Sequence, residues 1–205
     1  MTKTITRLFD HYSDATNAVR ELERLGVPHD DLSIMANKRD HTEGAHISDV
    51  NDDGDVTRGA STGAIIGGVG GLLAGLGLLA IPGLGPIVAA GWLASTAVGA
   101  GIGAAGGAAT GGIVGALKEA GHNDDEANVY AEGVRRGGTL VSARVDDSLA
   151  PQAEAVLQRN KSVDAATRGS AYRQSGWKGF DEKAPAYTDA EVADERRRYT
   201  ADPVV

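Results

Sequence analysis

The chain has 205 residues, with 20 Lys and Arg against 28 Asp and Glu, a formal net charge of -8 and no cysteine. That balance leaves no basic surface to neutralise a phosphate backbone, which excludes general nucleic-acid binding. The missing cysteine excludes disulfides, a thiolate nucleophile and Cys-based zinc sites.

The opening MTKTITRLFDHYSD has no apolar run of signal-peptide type, so the expected location is the cytoplasmic side. Within it, TITRLFD at 4–10 alternates apolar with polar residues and predicts a strand. Ser13 or Asp14 then caps a helix to about Leu25, whose apolar stripe is Ala15, Ala18, Val19, Leu22 and Leu25. Gly26 ends that helix and Pro28 prevents its restart. DLSIMAN at 31–37 reads as a second strand, closing a first half-domain over 1–37.

Residues 38–58 form an acidic, aperiodic linker. Asp49, Asn51, Asp53 and Gly54 within it match the start of a calcium loop, but the twelfth position, where a bidentate Glu belongs, is Ala60. The linker therefore reads as solvated acid rather than as a metal site. Of the five histidines, His41 and His46 also fall here and read as surface residues; with His11, His29 and His122 they make no ligand set.

From 59 to 117 no residue is charged, and 19 of the 29 glycines lie there. Gly59, Gly63, Gly67, Gly71 and Gly75 recur every fourth position, as do Gly99, Gly103, Gly107, Gly111 and Gly115. Each costs about 1 kcal/mol relative to Ala in an isolated helix, so close packing must offset the penalty. Two such ridges let helix backbones approach one another, and Pro82, Gly83, Gly85 and Pro86 force a turn between them. The expectation is an antiparallel glycine-zipper helical hairpin with arms over roughly 59–81 and 87–117. Its aliphatic flanks need burial, either in lipid, with Arg58 and Lys118 at the two mouths, or between copies of the chain. The expected partners are thus a homo-oligomer and, through residues 59–117, a membrane.

A second half-domain follows over 118–167. Asn123 caps a helix with Asp124, Asp125 and Glu126 in its first turn, Arg135 and Arg136 in its last, and Ala127, Tyr130 and Val134 on its buried side. TLVSARV at 139–145 reads as a strand, Asp146 or Asp147 caps the next helix, and SVDAAT at 162–167 reads as a closing strand. Without the middle segment the order is β-α-β then β-α-β, which predicts an α+β fold of ferredoxin-like plan interrupted by the hairpin. The tail from 168 to 205 is polar, with Trp177 and Phe180 its conspicuous apolar residues, and is expected to be disordered or loosely docked apart from a surface helix in TDAEVADERRRY.

No catalytic, cofactor-binding or metal residue emerges. The glycines lack the G-x-G-x-x-G order and no P-loop lysine follows them. No serine sits in a G-x-S-x-G elbow, and no small molecule is implied.

Three stretches, AVRELERLGVPHDDLSIM, GGLLAGLGLLAIPGLGPIVAAG and EANVYAEGVRRGGTLVSARVDD, give the chain a resemblance to the bacterial general stress protein family (17M-like, including heat- and low-temperature-induced stress proteins) over approximately residues 4–166. The resemblance implies a non-enzymatic role in the general stress response. It supplies no catalytic or binding residue. The residues alone leave a second reading open, a regulatory module binding a ligand or partner as a soluble oligomer.

Overall fold

The computed structural model describes residues 2–37, 77–81, 84–102 and 112–200. The fold is α+β. Strands β1 (Thr2–Phe9), β2 (Leu32–Asn37), β3 (Gly77–Ile81), β4 (Gly85–Gly91) and β5 (Thr139–Asp146) form one sheet in the order β1-β5-β2-β4-β3, every neighbouring pair antiparallel. β5 is thus inserted between β1 and β2, the two strands joined by helix α1 (Tyr12–Leu25).

Both faces are covered, and the two-residue period of a strand sorts its side chains between them. Ile5, Phe9, Leu32, Ile34, Val141 and Ala143 point to one face, where α1 and α5 (Ala150–Arg159) bring Val19, Leu22, Val156 and Leu157. Leu8, Met35, Ile87 and Leu140 point to the other. There α2 (Trp92–Ile102), α3 (Gly112–Glu119) and α4 (Asp124–Arg135) supply Leu93, Leu117, Tyr130 and Val134. Helices on both sides explain why all six residues of β2 are buried.

The local signals act partly as expected. Gly26 takes a left-handed conformation at φ 98° and its N–H reaches the carbonyls of Leu22 and Glu23, ending α1. Asn123 and Glu126 form a reciprocal capping box at the start of α4. Two other caps differ. Position 11, not Ser13 or Asp14, is the cap residue of α1 and makes no side-chain bond there. Leu149, not Asp146 or Asp147, holds the cap position of α5, where Pro151 fixes the first turn instead.

The middle segment departs most. The chain reverses between Ile81 and Gly85, where the Pro82–Pro86 turn was expected, but both sides of the reversal are strands rather than helix ends. Pro86 lies within β4, paired with Ala80. Short apolar runs with Ile81, Ile87 and Val88 satisfy either period, and a place beside β2 in the sheet decides for strand. The second expected arm is likewise not one rod, because α2 and α3 pack against each other. Gly99 falls in α2 and Gly115 in α3. The linker over 38–58, the ladder Gly59, Gly63, Gly67, Gly71 and Gly75, the rungs Gly103, Gly107 and Gly111, and Pro82 and Gly83 lie outside the described residues. Among the described residues, no helix is long and apolar enough to cross a membrane.

The expected closing strand is reduced to one antiparallel bridge, Val163 with Leu8, on the outer side of β1. Asp164 then starts a helix rather than continuing the strand, accepting from Thr167 N–H at 2.7 Å. The tail is ordered over most of its length: α6 (Ala165–Gln174) runs into it and α7 (Asp189–Thr200) lies beyond, with Val192 and Glu195 buried.

Candidate functional site

The densest polar chemistry sits where α4, α6 and α7 meet the end of β1. Helical spacing puts Glu132 and Arg136 on one side of α4, one turn apart. Glu132 is fully buried and receives two hydrogen bonds from Arg135, at 2.9 and 2.6 Å, and one from Arg136 Nε at 2.6 Å. Arg136 Nη1 donates onward to Glu195 Oε1 of α7 at 2.8 Å. The same oxygen accepts from the Tyr199 hydroxyl at 2.9 Å. From α6, Arg168 donates to Asp10 at 2.8 Å and stacks on the Tyr199 ring at 3.8 Å. Arg136 stacks on Tyr172 at 4.1 Å. Arg135, Arg136 and Arg168 therefore meet Glu132, Glu195 and Asp10 among the rings of Tyr172, Tyr187 and Tyr199, and Arg198 reaches Glu195 from α7 itself.

Burial alone would lower the pKa of Arg136, but hydrogen bonds to Glu195 and Glu132 outweigh it and raise the value above the usual arginine range. Arg168 follows the same logic, with burial opposed by the Asp10 carboxylate. Burial pushes the Tyr199 hydroxyl up to about 12, helped by the charge of Glu195, and drives Tyr172 upward as well. Arg136 and Arg168 stay charged and both phenols stay protonated at neutral pH. The cluster can hold a carboxylate or bind a helix. A cavity of about 10 Å³, lined by Leu8, Asp10, Gly133, Arg136, Arg168 and Tyr172 among others, leaves room for about one water.

A second polar constellation crosses the sheet beneath α4. Thr6, Ser142, Ser33 and Gly91 stand in register across β1, β5, β2 and β4. Thr6 and Ser142 hydroxyls are 2.9 Å apart, and Ser33 donates to the carbonyl of Ala90 at 2.8 Å. His122 Nε2 lies 2.7 Å from the Thr6 hydroxyl, and its Nδ1 lies 3.2 Å from Glu126. Tyr130 donates to the Thr6 carbonyl at 2.7 Å. Acid, imidazole and hydroxyl in that order are the parts of a nucleophile relay. Here, however, Thr6 and Ser142 are each 1% exposed, so neither oxygen is open to a substrate. The relay ties the capped start of α4 to the sheet. His122 is one of its members.

Among the described residues, no glycine of the expected helix-packing set lines either cluster. Among the described residues, no group of three or more His, Asp or Glu side chains could hold a metal ion. His41, His46 and the calcium-like stretch from Asp49 to Ala60 lie outside the described residues. The acid–arginine cluster was missed because Arg135 and Arg136 have an adequate local role, complementing the end of a helix. Its sequence signal was the Glu132/Arg136 spacing followed by two glycines, and its other half, Glu195, lay in the tail. No family model, curated protein or solved structure matches the chain.

Proposed function

We propose that this protein is a non-enzymatic stress-response protein that works by self-association, with its uncharged Gly/Ala-rich segment bringing copies together around the α+β body. The observation that carries this reading is the position of β3, the terminal strand of the sheet among the described residues. It continues directly from the residues that hold the first glycine ladder. An apolar edge strand offers a row of backbone donors and acceptors to another chain, and no charged residue between 59 and 117 opposes that pairing. The resemblance to general stress proteins points the same way. The ferredoxin-like plan is part of the proposal and is supported by the order Val163, β1, β5, β2, which β4 and β3 extend.

Sedimentation velocity of the full chain across a concentration series tests it. Self-association that weakens in Leu79→Lys and disappears on deletion of residues 59–76 is the expected result. A single monomeric species at every concentration overturns the reading. Recovery of the protein in membranes that resist alkaline carbonate washing would instead assign the segment to lipid.

A further inference from the structure

We infer that α7 is an exchangeable helix, and that the groove it fills beside Arg136, Gly137 and Arg168 is a docking site for α7 of a second copy of the chain. This surface is separate from β3, so it stands or falls independently of the edge-strand reading.

The first argument is how little apolar surface holds α7 in place. Its contact with the body runs along Val192, Glu195 and Tyr199, spaced at i, i+3 and i+7, with Arg196 beside them donating to the Gly137 carbonyl at 3.2 Å. Asp189, Ala190, Glu191, Ala193, Asp194, Arg197 and Arg198 are exposed. Val192 is the apolar anchor, seated over Gly137, and the remaining contacts are polar or stacked. Such a contact is specific in geometry and small in apolar area.

The second argument is that the groove is organised without α7. Glu132 holds Arg136 and Asp10 holds Arg168, both acids belonging to the body of the fold. With α7 seated, Arg136 is 7% exposed and Arg168 4%. When α7 leaves, Arg136 keeps Glu132 but loses the Glu195 carboxylate, and the seat of Val192 over Gly137 opens to water. The occupant that restores that carboxylate, the Val192 anchor and the Tyr199 stack together is the same helix from another copy. Exchange therefore replaces every contact with its equivalent, and a two-fold pair leaves neither groove empty.

The third argument is the tether. Trp177 and Phe180 pack against the core, and the Phe180 N–H is bound by Asn128 at 3.2 Å. Residues 181–188, DEKAPAYT, then run to α7 without helix or strand. Extended at about 3.3–3.6 Å per residue, they span roughly 26–29 Å, enough to hand α7 to a copy apposed on the same face.

The absence of cysteine permits unique labelling. Full chains carrying a donor dye at Ala193→Cys, on the exposed side of α7, are mixed with full chains carrying an acceptor at Ser170→Cys on α6. Energy transfer between different molecules that grows with concentration up to about 1 mM, the effective concentration of a short tether, is expected. It should persist in Leu79→Lys and vanish in Val192→Asp. A synthetic peptide of residues 187–200 should suppress it, and the same peptide with Glu195→Gln should be at least about tenfold less effective, as befits loss of a charge-assisted bond. The milder Val192→Ala, made alongside, should lower the transfer without unfolding the body. No intermolecular transfer at any concentration, or transfer unaffected by Val192→Ala and by the peptide, overturns the inference.

Discussion

Arg136 and Glu195 stand 59 positions apart and share a 2.8 Å hydrogen bond, one of the contacts that fix α7 to the body of the fold. The bond depends on Glu132, which holds the other side of the same guanidinium. Removing Glu132 takes the carboxylate from Arg135 and leaves Arg136 with Glu195 alone in a buried site. Glu132→Ala should therefore lower unfolding free energy by about 3–5 kcal/mol, the usual cost of breaking a buried ion pair on one side. Arg159→Ala, which breaks an exposed pair with Glu21, should cost about 0–1 kcal/mol. Urea titrations of the two variants against the parent chain make the comparison. Equal losses would mean that the cluster is no more than surface charge.

A second comparison separates backbone strain from the seat of α7. Gly26 and Gly137 both adopt left-handed conformations, at φ 98° and 92°. A Cβ on Gly26 would meet nothing within 4 Å, whereas one on Gly137 would lie 2.4 Å from Val192 Cγ1. Gly26→Ala should thus show strain alone, about 1 kcal/mol. Gly137→Ala should show that strain and also displace α7. Trypsin cutting at the exposed Arg197 and Arg198 reads the displacement. It should accelerate in Gly137→Ala and stay at the parent rate in Gly26→Ala.

The contrast between those glycines and the ladders shows what was legible in the sequence. Where one residue has one local task, the sequence reports it: Gly26 ends α1, Asn123 with Glu126 starts α4, and the stripe of Ala15, Ala18, Val19 and Leu22 is buried as its spacing implies. Where the same letters fit two periods, only tertiary pairing decides. Ile87 and Val88 read as helix from their place between glycines, and became strand because Ala36 and Asn37 of β2 lie beside them. Glu195 was hidden for a different reason. Its partner is Arg136, and no periodic pattern connects positions so far apart. The candidate site therefore came from topology, with just the Glu132/Arg136 half written locally.

The hydroxyl relay gives a third prediction. Thr6 touches both His122 and Ser142 in a buried row. Thr6→Val keeps the shape but leaves two polar groups without their partner, at a cost of about 1–3 kcal/mol. Ser142→Ala removes one of those bonds and costs less. Because the two residues share a bond, the double variant should lose less stability than the sum of the singles, by about 0.5 kcal/mol or more. Strict additivity in chemical denaturation would show that the Thr6–Ser142 contact contributes nothing of its own.

Alkaline pH supplies the last test. Burial pushes the Tyr130 hydroxyl from 10.0 up to about 12, with the neighbouring Arg7 working against the shift. A folded value above the unfolded one means that the folded chain holds the proton more tightly. The resulting stabilisation is fully present below about pH 10 and is lost as pH rises through about 12. Two units at a well-buried group correspond to about 2–3 kcal/mol. Tyr130→Phe gives up the bond to the Thr6 carbonyl at every pH, so it should be less stable at neutrality yet shallower in its alkaline decline. Urea midpoints of both chains between pH 8 and 12, followed with tyrosinate absorbance, should converge as the parent loses the proton. Parallel profiles would place the alkaline transition on other groups, with Tyr199, also held near 12 beside Glu195, the next to substitute.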